Sequence, residues 1–115
     1  YEAALGSIDK IRQPGARILE AKQKILFRLG TQAFANADFP EAIRFLNESL
    51  TLGQYNAATK ADAYYWRGEA NYRLEKYQAA GSDLRHYLEF ATDKSSQEYG
   101  LALYNLGYTE FKQKH

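Results

Sequence analysis

The chain repeats itself. Leu26-Phe27-Arg28-Leu29-Gly30, Tyr64-Tyr65-Trp66-Arg67-Gly68 and Leu103-Tyr104-Asn105-Leu106-Gly107 align with their glycines 38 and then 39 residues apart. Each glycine is followed four residues later by an aromatic: Phe34, Tyr72 and Phe111. A second pattern follows the first two glycines, Phe39/Ala42/Leu46 in one copy and Tyr77/Ala80/Leu84 in the next. The same spacing opens the chain as Tyr1/Ala4/Ile8. A fixed period of this length decides the architecture, because each unit leaves an apolar face that only a neighbouring unit covers.

Within each unit the spacing is helical. Apolar residues recur at three and four, as in Ile43/Leu46/Leu50 and Tyr77/Ala80/Leu84/Tyr87. Asp38-Phe39-Pro40-Glu41 offers an N-cap, a first-turn proline and an acid three residues on, a capping-box arrangement. Thr59-Lys60-Ala61-Asp62 and Ser95-Ser96-Gln97-Glu98 repeat that logic. Pro14-Gly15 and Gly53 mark turns. Six helices are predicted, over 1–12, 17–36, 39–52, 60–74, 77–91 and 96–113.

Glycine inside a helix costs about 1 kcal/mol against alanine. Gly30, Gly68 and Gly107, at one phase of three helices, therefore call for a packing reason: a partner helix approaching closely, with Ala42 and Ala80 as its small surface and Leu46 and Leu84 filling the space around the contact. Gly81 has two readings, a further close crossing or simple tolerance.

These residues resemble the tetratricopeptide repeat, in which one helix carries a large residue four before a small one and the next carries an alanine and a bulky apolar at these offsets. The resemblance spans nearly the whole chain. It implies an all-α fold, a right-handed superhelical solenoid of antiparallel helix pairs. The array would run as the second helix of a truncated repeat (1–12), a repeat (17–53), a repeat (60–91) and the first helix of a truncated repeat (96–115). Three departures stand out: a period of 38 to 39 instead of about 34, no closing proline, and Arg67 where the family has leucine.

In the resembling family the first helix of each repeat lines a concave groove that holds a protein or peptide segment. Carried over, the groove positions are Lys24, Phe27, Arg28, Thr31, Phe34 and Ala35; then Asp62, Tyr65, Trp66, Glu69, Tyr72 and Arg73; then Leu101, Tyr104, Asn105, Tyr108, Phe111 and Lys112. Phe34, Tyr72 and Phe111 are expected in the core between repeats. Phe27, Arg28, Thr31, Tyr65, Trp66, Glu69, Arg73, Tyr104 and Tyr108 are the expected partner-binding set, with Tyr65, Trp66, Tyr104 and Tyr108 exposed and Arg28, Arg73 and Glu69 setting polarity. Aromatics and arginine dominate binding hot spots. The family's carboxylate clamp is not matched, since Phe27, Thr31, Trp66, Leu101 and Asn105 occupy its positions.

No enzyme signature is present: there is no phosphate loop, no GxSxG and no HExxH. His86 and His115 are far apart, and carboxylates such as Asp83 and Glu89 look like solvated helix faces. Neither a metal nor a cofactor is expected, and with no cysteine there is no disulfide or thiolate chemistry. Fifteen Lys+Arg against 14 Asp+Glu, interspersed, argue against nucleic acid and anionic membranes. No apolar run approaches the ~18 residues of a membrane span.

Two alternatives remain open. One is a helical repeat that reads single-stranded RNA, opposed by Asp62 and Glu69 on the groove. The other is a structural module that self-associates through uncapped terminal helices, with Leu103, Leu106 and Phe111 exposed. The absence of methionine and the start at Tyr1 point to a processed or excised piece of a longer protein. A cytosolic and an envelope location both fit.

Overall fold

A computed structural model describes residues 8–114, with side chains from residue 15 onward. Five α-helices follow one another: α1 (Ile8–Ala35), α2 (Phe39–Thr51), α3 (Ala57–Arg73), α4 (Tyr77–Phe90) and α5 (Gln97–Gln113). A 3-10 turn over Gly53–Tyr55 joins α2 to α3. The described residues contain no strand, so the fold class is all-α.

Each helix packs on the next. In addition α1 touches α3 and α3 touches α5, whereas α2 and α4 do not meet. The molecule measures 58 × 28 × 20 Å with a radius of gyration of 16.3 Å, against about 13 Å for a compact chain of this length.

The repeat is visible in how the helices cross. A Cβ on Gly30 would lie 2.7 Å from Leu46 Cγ and 3.3 Å from the Ala42 carbonyl oxygen. A Cβ on Gly68 would lie 3.1 Å from both Leu84 Cγ and Asp83 Cβ. Leu46, Leu84, Ala42 and Ala80 are fully buried at these crossings. Gly107, at the same phase of α5, has nothing within 4 Å. Gly81 sits at the α4–α5 crossing, where a Cβ would be in ordinary van der Waals contact, 3.5 Å from Thr109 Cγ2.

The turns repeat as well. Ala37 and Glu75, 38 residues apart, both take left-handed backbone with φ of 63° and 62°. In each turn the next residue's N–H reaches back to the helix: Asp38 to the Ala33 carbonyl and Lys76 to the Asn71 carbonyl, both at 2.9 Å. This is the Schellman arrangement, built twice without the glycine that usually serves it.

Several sequence expectations are corrected. The helix predicted over 1–12 lies largely outside the described residues, and its described part belongs to α1, which runs through Pro14-Gly15 without a turn. Proline removes one amide donor from the ladder and so weakens a helix without having to end it. α3 begins at Ala57, not Lys60, because Asn56 is the cap: its Oδ1 accepts from the Thr59 N–H at 2.8 Å. Asp38 caps α2 through the Glu41 N–H at 3.3 Å, but Glu41 completes no capping box, since its carboxylate is bound by Arg44 at 2.6 Å. Ser96 caps α5, accepting from the Tyr99 N–H at 3.1 Å.

A polar tie fixes the start of α3 on α1 and α2. Buried Gln23 donates from Nε2 to the Asn56 carbonyl at 3.0 Å. Ser49 Oγ donates to the Gln23 carbonyl at 2.9 Å, and Asn56 Nδ2 donates to Glu20 at 2.7 Å.

Candidate functional site

An aromatic line crosses four helices. Phe34 on α1 meets Trp66 on α3 edge-on at 5.1 Å, Trp66 meets Tyr65 at 5.1 Å, and Tyr65 meets Tyr87 on α4 at 5.1 Å. Tyr87 in turn meets Tyr99 on α5 at 6.4 Å. The first two pairs are edge-to-face and each add about 1 kcal/mol beyond burial, and the last two are tilted. The line therefore fixes α1, α3, α4 and α5 to one another.

Beside it a cavity of about 390 Å³ opens between the first half of α3, the end of α4 and the start of α5. Tyr65, Trp66, Tyr87 and Phe90 form its aromatic wall, and Asp62, Asp93 and Glu98 its charges; no Lys, Arg or His lines it. Burial, with Glu98 adding repulsion, raises the Asp62 carboxyl above its ordinary range. Burial pushes the Tyr65 hydroxyl up to about 12, helped by Glu69 and Glu98. Burial also raises Tyr87, against the hydrogen bond from Ser96. Asp93 is lowered by its hydrogen bonds from Ser95.

Of the expected partner-binding residues, only Tyr65 and Trp66 line this cavity. Tyr65 was expected exposed and is buried, 5% accessible, in a cluster with Ala61, Leu84, Tyr87 and Ala102; its ring is what α3 packs onto α4. Trp66 is half-buried. Glu69 is not a groove charge: it is 6% accessible and receives the Asn105 amide from α5. Arg73 is exposed but stacks over Phe34 at 5.1 Å and Phe39 at 5.8 Å. Phe27 and Thr31 are half-buried and Arg28 exposed, with Thr31 Oγ1 donating to the Arg28 carbonyl at 3.0 Å.

On α5, Tyr104 is 72% exposed and Tyr108 exposed, Tyr108 meeting Tyr72 edge-on at 5.9 Å. Phe111, expected in the core, is 57% exposed. Its counterparts Phe34 and Tyr72 are covered by Phe39 and Tyr77 of the helix that follows each.

Two functional-looking groups escaped the sequence reading. Asp83, taken for a solvated charge, is 3% accessible and paired with Arg67 at 2.6 Å; the signal was Arg67 in a leucine position. Glu98 was read only as a capping acid, and its place opposite Asp62 depends on the α3–α5 crossing. His86 stacks on Tyr64 at 4.8 Å.

Among the described residues no group of three or more His, Cys, Asp or Glu could hold a metal ion, and no helix is long and apolar enough to cross a membrane. No family model matches the chain, and neither a curated protein nor a solved structure does.

Proposed function

We propose that the chain is a tetratricopeptide-like array that holds a segment of another protein on the face shared by α1, α3 and α5, without catalysis. The observation that carries this reading is the aromatic-walled cavity where α3 meets α5. Two features support it. The glycine crossings recur at a 38-residue step with the same leucine partner. And α1, α3 and α5 touch in sequence while α2 and α4 stay apart, the pattern of a stack curved with its odd helices inside. Trp66 and Tyr104 give that inner side the rigid aromatic area that binding hot spots use.

The test is selection of displayed random peptides on the wild type, followed by binding to a Trp66→Ala/Tyr104→Ala variant. Tyr65 is left intact because it belongs to the core. Enriched peptides should lose affinity for the variant at a temperature where its helicity persists, its melting lowered by the lost Trp66 contacts with Phe34 and Tyr65. A Tyr104→Ala single variant, at a position exposed at 72%, should lose affinity with melting unchanged. Peptides that bind both proteins alike would sink the reading.

A second reading, self-association through α5, is favoured by Leu101, Leu103 and Phe111, each more than 40% exposed, and by the open space at Gly107. Leu106, expected exposed with Leu103 and Phe111, instead packs half-buried against the core. Light scattering that returns a monomer at high concentration would remove it. The RNA reading loses ground, because three carboxylates and no base line the cavity and would repel a phosphate backbone.

A further inference from the structure

We propose that the cavity takes a basic side chain, lysine or arginine, from the segment held on the α1/α3/α5 face. Its charge would lie between Asp62 and Glu98 and its alkyl stem against Trp66. This rests on the reading of that face as a partner-binding surface and names the chemistry of the partner.

The charges lining the cavity are all of one sign. Asp62 and Glu98 are exposed at the cavity's mouth, and neither makes a hydrogen bond or ion pair with any described residue, whereas the covered acids Glu20, Glu69 and Asp83 are all engaged. Two carboxylates are thus held near each other with no cation between them. The Tyr65 hydroxyl is in the same position: the residue is 5% accessible, it lines the cavity, and its phenol has no hydrogen-bond partner among the described residues. Unlike the sealed Gln23 Oε1 and Thr109 Oγ1, this hydroxyl is open to the cavity, so a ligand there could add a hydrogen bond worth about 1 kcal/mol.

The wall and the size narrow the class. Aromatic faces attract cations, most strongly at tryptophan, and lysine and arginine stems cover apolar surface while the head keeps polar company. Lys60 already behaves this way at Phe90, with Nζ 4.5 Å from the ring centroid, yet it pairs with neither Asp62 nor Glu98. A bare metal ion is a poor fit, since the acids do not converge into a coordinating group. A volume of about 390 Å³ suits an alkyl chain with a charged head, at the small end of ligand pockets.

Trp66 is the chain's one tryptophan, so its emission reports the cavity directly. The probes are n-butylammonium, acetate, and three serine–glycine peptides identical except for a central lysine, glutamate or serine. The lysine peptide and n-butylammonium should change Trp66 emission saturably and compete with each other, while acetate and the other peptides leave it unchanged. An Asp62→Asn/Glu98→Gln variant should bind the lysine peptide about tenfold more weakly with unchanged melting. The Glu41→Gln/Glu48→Gln control, on the outer surface of α2, should bind as wild type.

Equal response to the lysine and glutamate peptides, or undiminished lysine binding by the Asp62→Asn/Glu98→Gln variant, would overturn the inference and leave the partner-binding reading standing. Saturation by n-butylammonium with no response to any peptide would do the reverse: it would overturn the partner reading and keep the cavity's choice of cation.

Discussion

Arg67 and Asp83 form a two-pronged ion pair across the α3–α4 crossing, Nη2 to Oδ1 at 2.6 Å and Nε to Oδ2 at 3.0 Å. Asn71 donates to the same carboxylate at 3.0 Å, and Arg67 Nη1 donates to Asn47 on α2 at 2.8 Å. Thirty-eight residues earlier the equivalent positions are Leu29, Phe45 and Ala33. One repeat places apolar residues where the other places a charged pair and an amide.

Breaking such a pair from one side leaves a buried charge behind. Arg67→Leu should therefore cost about 3 kcal/mol in urea unfolding, because Asp83, 3% accessible, would be left with Asn71 as its partner across the crossing. The triple change Arg67→Leu/Asn71→Ala/Asp83→Phe installs the other repeat's residues and should recover most of that loss. A triple variant no more stable than the single one would show that the two crossings are not equivalent.

Two of the aligned glycines, Gly30 and Gly107, should respond with opposite signs. Gly30→Ala pushes a methyl to 2.7 Å from Leu46 and is expected to destabilise by about 1–3 kcal/mol. Gly107→Ala meets nothing and should stabilise α5 by about 1 kcal/mol through helix propensity. Thermal melts of the two variants check both signs.

How much of this was legible beforehand follows from what each feature depends on. The positions of α2, α4 and α5 and the Gly30 and Gly68 crossings follow from spacing, which is local information, whereas the turn expected at Pro14-Gly15 is absent because α1 runs through it. The caps were partly legible: Asp38 was readable, the α5 cap was placed one residue early, at Ser95 instead of Ser96, and Asn56 displaced Thr59 because its side chain is also tied to Glu20 on α1. The site was least legible. Whether Tyr65 or Trp66 faces the core turns on a rotation of about 100° per residue along one helix, and the opposition of Asp62 and Glu98 exists only once α5 has crossed α3.

Ala37 and Glu75 hold left-handed backbone that favours glycine. Glycine there relieves the Cβ strain but loosens the unfolded chain. The strain term should win, so Ala37→Gly and Glu75→Gly are each expected to stabilise by about 0.5–1 kcal/mol, as read by denaturant midpoint at constant m-value.

Glu69 gives the fold a pH dependence. Burial raises its carboxyl above the ordinary 4.5, against the lowering effects of Asn105 and Arg73. The native state thus holds this proton more tightly than the unfolded chain does, and its contribution to stability falls as pH rises through the raised value. Glu69→Gln keeps an acceptor for Asn105 without the charge. The variant should be the more stable protein at neutral pH, and the two should converge below pH 4.5; melting curves across that range are the check.

The central claim is that a partner segment lies along α1, α3 and α5. The most direct measurement is backbone amide shift mapping of the labelled chain with a selected peptide. The account expects perturbations at Arg28, Asp62, Trp66, Tyr104 and Tyr108, with the outer surfaces of α2 and α4 silent. Shifts concentrated on α2 and α4, with Trp66 and Tyr104 unmoved, would contradict it.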